Sequence, residues 1–152
     1  MGRFIYRMQN ILQLKEKLED REKQNFALMQ AKLNEEEALL ASLRAKLEEI
    51  IEEGKRLRIG EIDTLRIKEN ERSQKDGEER VNKQMMQVRA AEKNLEVARR
   101  RMQEAMQERK IHEKLRENAF EKFLKEEAAQ EAKEIDELTS YTYGRKATEK
   151  SE

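Results

Sequence analysis

From Phe26 the chain places large apolar residues at a seven-residue repeat, with Phe26, Leu33, Leu40 and Leu47 in one column and Met29, Leu43, Ile50 and Leu57 in a second. The steps alternate between three and four, which is the spacing of a coiled-coil seam. Only Glu36 and Gly54 break the run of ten seam positions from Phe26 to Leu57, where a 36% hydrophobic composition would give roughly four apolar positions by chance. Upstream, Phe4, Met8, Ile11, Leu12, Leu14 and Leu18 keep a looser helical period, so the pattern predicts one helix over about 4–57. Downstream, Met85, Val88, Ala91, Leu95, Ala98, Met102 and Ala105 recur at steps of three and four, and the alanines leave room for the leucines of the first helix.

Gly54 and Gly60 bracket Lys55 to Ile59 where the first run ends, a place for the chain to reverse. The expectation is an all-α fold, a long antiparallel two-helix coiled-coil hairpin over 1–140. Its tip falls at about 54–61, its second helix at about 62–139, and 141–152 forms a flexible C-terminal tail. A competing register turns the chain at Ser73 to Gly77, using Asp76-Gly77 and giving arms of more equal length. A glycine inside a helix is tolerated at a cost of about 1 kcal/mol, so Gly77 does not by itself demand a turn. With the tip near Gly60, Phe4 pairs with residues around Lys114, and the second helix overhangs from Leu115 to about Thr139. The overhang carries Leu115, Ala119, Phe120, Phe123, Leu124, Ile135 and Leu138. An uncovered apolar stripe in water calls for a partner, self-association and fraying being the plainer alternatives. Near the tip, Leu40, Leu43, Leu47 and Ile50 face the polar stretch Lys68 to Arg80, so either the register differs or that surface binds something. Tyr141 and Tyr143 would pack only if the terminus docks.

Composition narrows the function classes. Charged residues make up 43% of the 152, and the mean hydropathy is −1.11, too polar for an ordinary globular core. Disorder is disfavoured because the chain lacks proline and mixes 33 basic with 33 acidic residues among strong helix formers. A formal charge of zero removes the electrostatic case for nucleic acid, and the basic run Arg99 to Arg101 is followed by Glu104 and Glu108. There is no cysteine, no 18-residue apolar span and no signal-peptide pattern, which points to a soluble cytoplasmic protein with no direct membrane insertion. Catalytic chemistry has little to work with. The single histidine, His112, continues the second seam, and Glu35 to Glu37 or Glu126 and Glu127 are helical neighbours that point apart. No enzyme activity, cofactor or metal is expected.

Both ends carry a resemblance. Arg3-Phe4-Ile5-Tyr6-Arg7-Met8-Gln9 runs into Ile11-Leu12-Gln13-Leu14-Lys15-Glu16, and Phe120-Glu121-Lys122-Phe123 leads to Glu131-Ala132-Lys133-Glu134-Ile135-Asp136-Glu137, with Gly60 at the expected distance from each. In these the chain resembles the bacterial flagellar export family FliJ. The resemblance implies an antiparallel coiled coil similar to the rotor stalk of the rotary ATP synthase, its paired ends seated in the hexameric flagellar export ATPase. It further implies binding to the cytoplasmic domain of the export-gate membrane protein, escort of export chaperones, and a cytoplasmic location peripheral to the inner face of the cell membrane at the flagellar basal body. Carried over by motif position, ATPase-ring contacts would be Phe4, Met8, Leu12, Phe120, Phe123, Leu124, Glu127 and Glu131. For the gate, the family has aromatic residues shortly after the tip, where Arg66, Asn70 and Arg72 stand here, leaving Leu39, Leu43, Ile51, Leu65 and Ile67 as candidates. The equivalent stalk of a virulence type III secretion system, and a structural tether or prefoldin-like holdase, are the alternative readings.

Overall fold

The computed structural model describes residues 2–150. Two helices, α1 (Gln9–Leu57) and α2 (Thr64–Lys150), pack against each other as a helical hairpin, with no strand among the described residues. The chain divides into two compact units, Glu19–Ala105 and Met1–Leu18 with Met106–Glu152.

The reversal lies in the first unit, over 58–63. Gly60 has φ of +82°, a left-handed conformation that costs other residues about 1–2 kcal/mol. Lys55 and Arg56 occupy the last turn of α1, where cations suit the negative end of the helix dipole, and Arg58 Nη1 donates to the Gly54 carbonyl at 2.8 Å. Asp63 caps α2 by accepting the Leu65 N–H at 3.1 Å. The alternative turn at Ser73 to Gly77 is overturned, since Gly77 lies inside α2.

Antiparallel pairing in this unit buries Leu33, Leu40, Val81, Val88, Ala91 and Leu95, flanked by Phe26, Met29, Leu43, Leu47 and Met85. Ala98 is 1% exposed, consistent with its role as a small residue receiving a larger one. The polar stretch opposite Leu40 to Ile50 is accommodated by two devices. At Gly77, a Cβ would come within 2.9 Å of Leu47 Cδ1, so the missing side chain is the socket for that leucine. At Asn70, 6% exposed, the amide donates to the Ile50 carbonyl at 2.8 Å and its oxygen accepts from Gln74 at 2.8 Å. Gly54 is where these side chains need space, because a Cβ there would meet Asn70 Oδ1 and Gln74 Nε2.

Two stretches depart from the expected layout. Helix α1 begins at Gln9 rather than near Phe4, and 2–6 is non-helical. At the other end, α2 continues helical through 141–150, where the periodicity stops. The side-chain contacts there are local to the helix, among them Thr142 Oγ1 to the Leu138 carbonyl and Arg145 to Glu149.

Candidate functional site

In the unit formed by Met1–Leu18 and Met106–Glu152, the non-helical segment 2–6 lies along α2 and assembles an aromatic cluster. The Phe4 ring meets Phe120 edge-on at 5.1 Å between centroids and Phe123 at 5.4 Å, while Tyr6 stacks on Phe4 at 6.5 Å. Offset and edge geometries of this kind are the favourable ones for ring quadrupoles. The Arg116 guanidinium carbon sits 5.7 Å from the Phe4 centroid, close enough for a cation–π contact, and its Nε donates to Gln9 Oε1 at 3.0 Å. Beyond the rings, the Gly2 N–H donates to Glu127 at 3.4 Å, and nearer the helical pairing Lys15 reaches Glu108 at 3.3 Å.

These contacts correct the pairing of Phe4 with the neighbourhood of Lys114. An extended chain advances about 3.3 Å per residue against 1.5 Å in a helix, so unwinding 2–6 carries Phe4 farther along α2 to Phe120 and Phe123. The uncovered part of α2 therefore begins after Glu127 instead of at Leu115. Every residue from 128 to 149 is exposed, including Ile135, Leu138, Tyr141 and Tyr143.

The expected ring-contact residues separate into two groups. Phe4, Phe120, Phe123 and Glu127 come together, with Met8 (40% exposed) and Leu124 (50%) presenting apolar surface beside them. Leu12 is sealed in the seam at 3% exposure, so it supports that surface without presenting itself to a partner, and Glu131 is exposed outside the cluster. The five gate candidates do not gather. Leu43 packs against the hydrophobic core, Ile51 and Ile67 are half-buried, and Leu39 and Leu65 are exposed, Leu39 along α1 and Leu65 at the start of α2.

Several buried polar positions were not singled out from sequence, though the columns contain them. Stepping by sevens from Leu12 gives Glu19, Phe26 and onward to Gly54, and Glu19 is 3% exposed with Lys23 Nζ at 2.7 Å. Stepping back from Ala91 gives Gln84, 7% exposed, whose amide donates to the Glu36 carbonyl at 2.9 Å and to the Glu36 carboxylate. Lys32 completes that group at 3.0 Å from Glu36. The Gln84 hydrogen bond, followed by the one from Lys32, holds the Glu36 carboxyl below its ordinary pKa, and the Glu36 hydrogen bond raises that of Lys32. His112 is half-buried and its Nδ1, like the Tyr6 hydroxyl, makes no hydrogen bond to a described residue. No group of acidic, histidine or cysteine residues suited to a metal is present among the described residues.

Comparison with known families decides what this arrangement belongs to. Residues 4–148 match the family of the flagellar FliJ protein. The chain is a member of the FliJ family. It is thereby a component of flagellar type III protein export, in a family whose members are non-catalytic. No individual curated protein and no solved structure gives a match. No helix among the described residues is long and apolar enough to cross a membrane.

Proposed function

We propose that this FliJ-family chain is a central stalk for the flagellar export ATPase hexamer, with ATP hydrolysed by the ring and not by the stalk. The supporting observation is the aromatic cluster of Phe4, Phe120 and Phe123 followed by an α2 segment whose apolar side chains are left exposed among the described residues. Met8, Leu124 and Glu131 supply the adjoining surface, while Glu127 accepts the Gly2 N–H and Leu12 is buried in the seam. An exposed apolar stripe on a helix costs little to cover and gains roughly 25 cal/mol for each Å² of apolar surface removed from water.

The same reading places the protein in the cytoplasm, peripheral to the inner face of the cell membrane, with the hairpin meeting the cytoplasmic domain of the export-gate protein. Of the gate candidates, Leu39 and Leu65 are the exposed ones and carry that part of the proposal. Escort of export chaperones rests on family membership.

The test is the turnover of the cognate export ATPase with and without this protein. Because Phe120 and Phe123 are packed on Phe4, alanine there disturbs the stalk itself, so the informative variant is Ile135→Ser with Leu138→Ser. Stimulation by the wild type that is lost in this variant supports the ring-inserted stalk. No stimulation by the wild type removes that mechanism and favours a tether or holdase.

A further inference from the structure

The strap formed by 2–6 is held to α2 chiefly by one ring. Phe4 meets Phe120, Phe123 and the Arg116 guanidinium, and the Gly2 N–H adds an exposed bond to Glu127 at 3.4 Å. Other parts of the strap gain little or work against docking. Ile5 is 77% exposed, and the Tyr6 hydroxyl is buried with no hydrogen bond to a described residue. A hydroxyl withdrawn from water without a partner disfavours the docked state.

A second conformation is open to the same residues. Arg3 to Met8 contains neither proline nor glycine, and Phe4, Met8, Ile11 and Leu12 keep the spacing of one helical face. Extending α1 through them would satisfy their backbone groups within the helix. It would also draw Phe4 back toward Lys114, since a helix advances 1.5 Å per residue and an extended chain about 3.3 Å. Phe120 and Phe123 would then be uncovered.

What lies beneath the strap continues into open surface. At 3.6 residues per turn, Phe120, Leu124, Ile135 and Leu138 fall within about 60° of one another around α2. Phe120 is 42% exposed under the strap, and exposure rises through Leu124 to 62% at Ile135 and 67% at Leu138. One apolar stripe therefore runs from the aromatic cluster into the uncovered part of α2, with Phe4 seated on its first position.

We infer that 2–6 is a releasable cover, which competes for Phe120 and Phe123 with the partner that grips the rest of the stripe. The inference rests on the stalk reading, which names that partner as the export ATPase hexamer. Strap docking and full engagement of the hexamer exclude each other at these two side chains. The apparent affinity for the hexamer is then the intrinsic one scaled by the fraction of chain whose strap is open. In the free chain the closed strap shields Phe120 and Phe123 from water.

The experiment titrates the cognate export ATPase hexamer with the full chain, using substitutions that move the strap in opposite directions, with circular dichroism to show that each variant stays helical. Phe4→Ala should tighten binding about two- to tenfold, the factor by which losing an aromatic pairing shifts the strap toward release. Tyr6→Phe should weaken it about fivefold, because the strap then docks without an orphaned hydroxyl. Gly2→Cys with Glu127→Cys, joined by a short cleavable crosslinker in a chain that has no native cysteine, should block binding until the link is cut. Phe4→Ala that binds as the wild type or more weakly overturns the inference and leaves the stalk reading standing, with weaker binding making Phe4 part of the contact. A crosslinked strap that binds like the wild type overturns it as well. A wild-type chain that does not bind the hexamer removes the stalk reading and this inference with it.

Discussion

The two glycines that competed for the turn play opposite parts, and the difference is measurable one residue at a time. Gly60 needs its left-handed φ, with nothing near its missing side chain; Gly77 is helical and gives up its side chain to Leu47. Gly60→Ala should therefore lower stability by about 1 kcal/mol, read as a shift in the denaturant midpoint. Gly77→Ala should cost less than that, because the clashing atom is the free end of Leu47 and alanine improves the helix. The sequence left both sites open because glycine spacing reports that a side chain is absent, and does not say whether backbone or packing requires it. Glu36 offers a second test. Its pKa is lowered on folding by the bonds from Gln84 and Lys32, so the folded state binds this proton less readily than the unfolded chain. The resulting stabilisation is present above the unfolded carboxyl value of about 4.3 and is lost as pH falls through the lower folded value. Glu36→Gln should flatten that part of the acid limb, and a titration of stability between about pH 5 and pH 2 checks it. An unchanged acid limb would mean the group is not formed in solution.

At the scale of elements, the helices were legible where large residues repeat and obscure where the repeat is kept by polar ones. Phe26 to Leu57 declared itself, while Glu19, Asn70 and Gln84 sit on the same columns yet read as surface until the column is continued through them. The register error at Phe4 has a different origin. Apolar spacing over so few residues does not distinguish a helical turn from an extended strap, and only the ring contacts show that 2–6 is the latter. Those contacts predict that Phe4→Ala weakens the strap by about 0.5–1.5 kcal/mol for the aromatic pairing, beyond the lost apolar area. Hydrogen exchange should then quicken at 2–12 and 116–127 while the amides of 81–98 keep their protection. Uniform acceleration along the chain would contradict the division into separately packed units.

For the molecule as a whole, zero net charge, the absence of cysteine and the absence of a chemical constellation turned attention to surfaces, and family membership then fixed the setting as flagellar export. The sequence could not report how much of α2 lacks a partner, because helix formers continue smoothly from the covered part into the uncovered one. Gln130 bonds to Glu134 and Thr142 to the Leu138 carbonyl within the helix, and every residue of 128–149 is exposed, with no other described element over them. A helix of this length without tertiary packing is marginal in water, so its amides should exchange orders of magnitude faster than those at Val88 or Leu95 in the free protein. Adding the export ATPase should slow exchange at 128–149 selectively, since a partner that covers Ile135 and Leu138 stabilises the helix it grips. Ile135→Ser with Leu138→Ser should remove that selective slowing while leaving the aromatic cluster and the seam amides as they were. Protection that appears at 26–57 or 64–105 instead would move the ATPase contact to the hairpin and away from the uncovered end of α2.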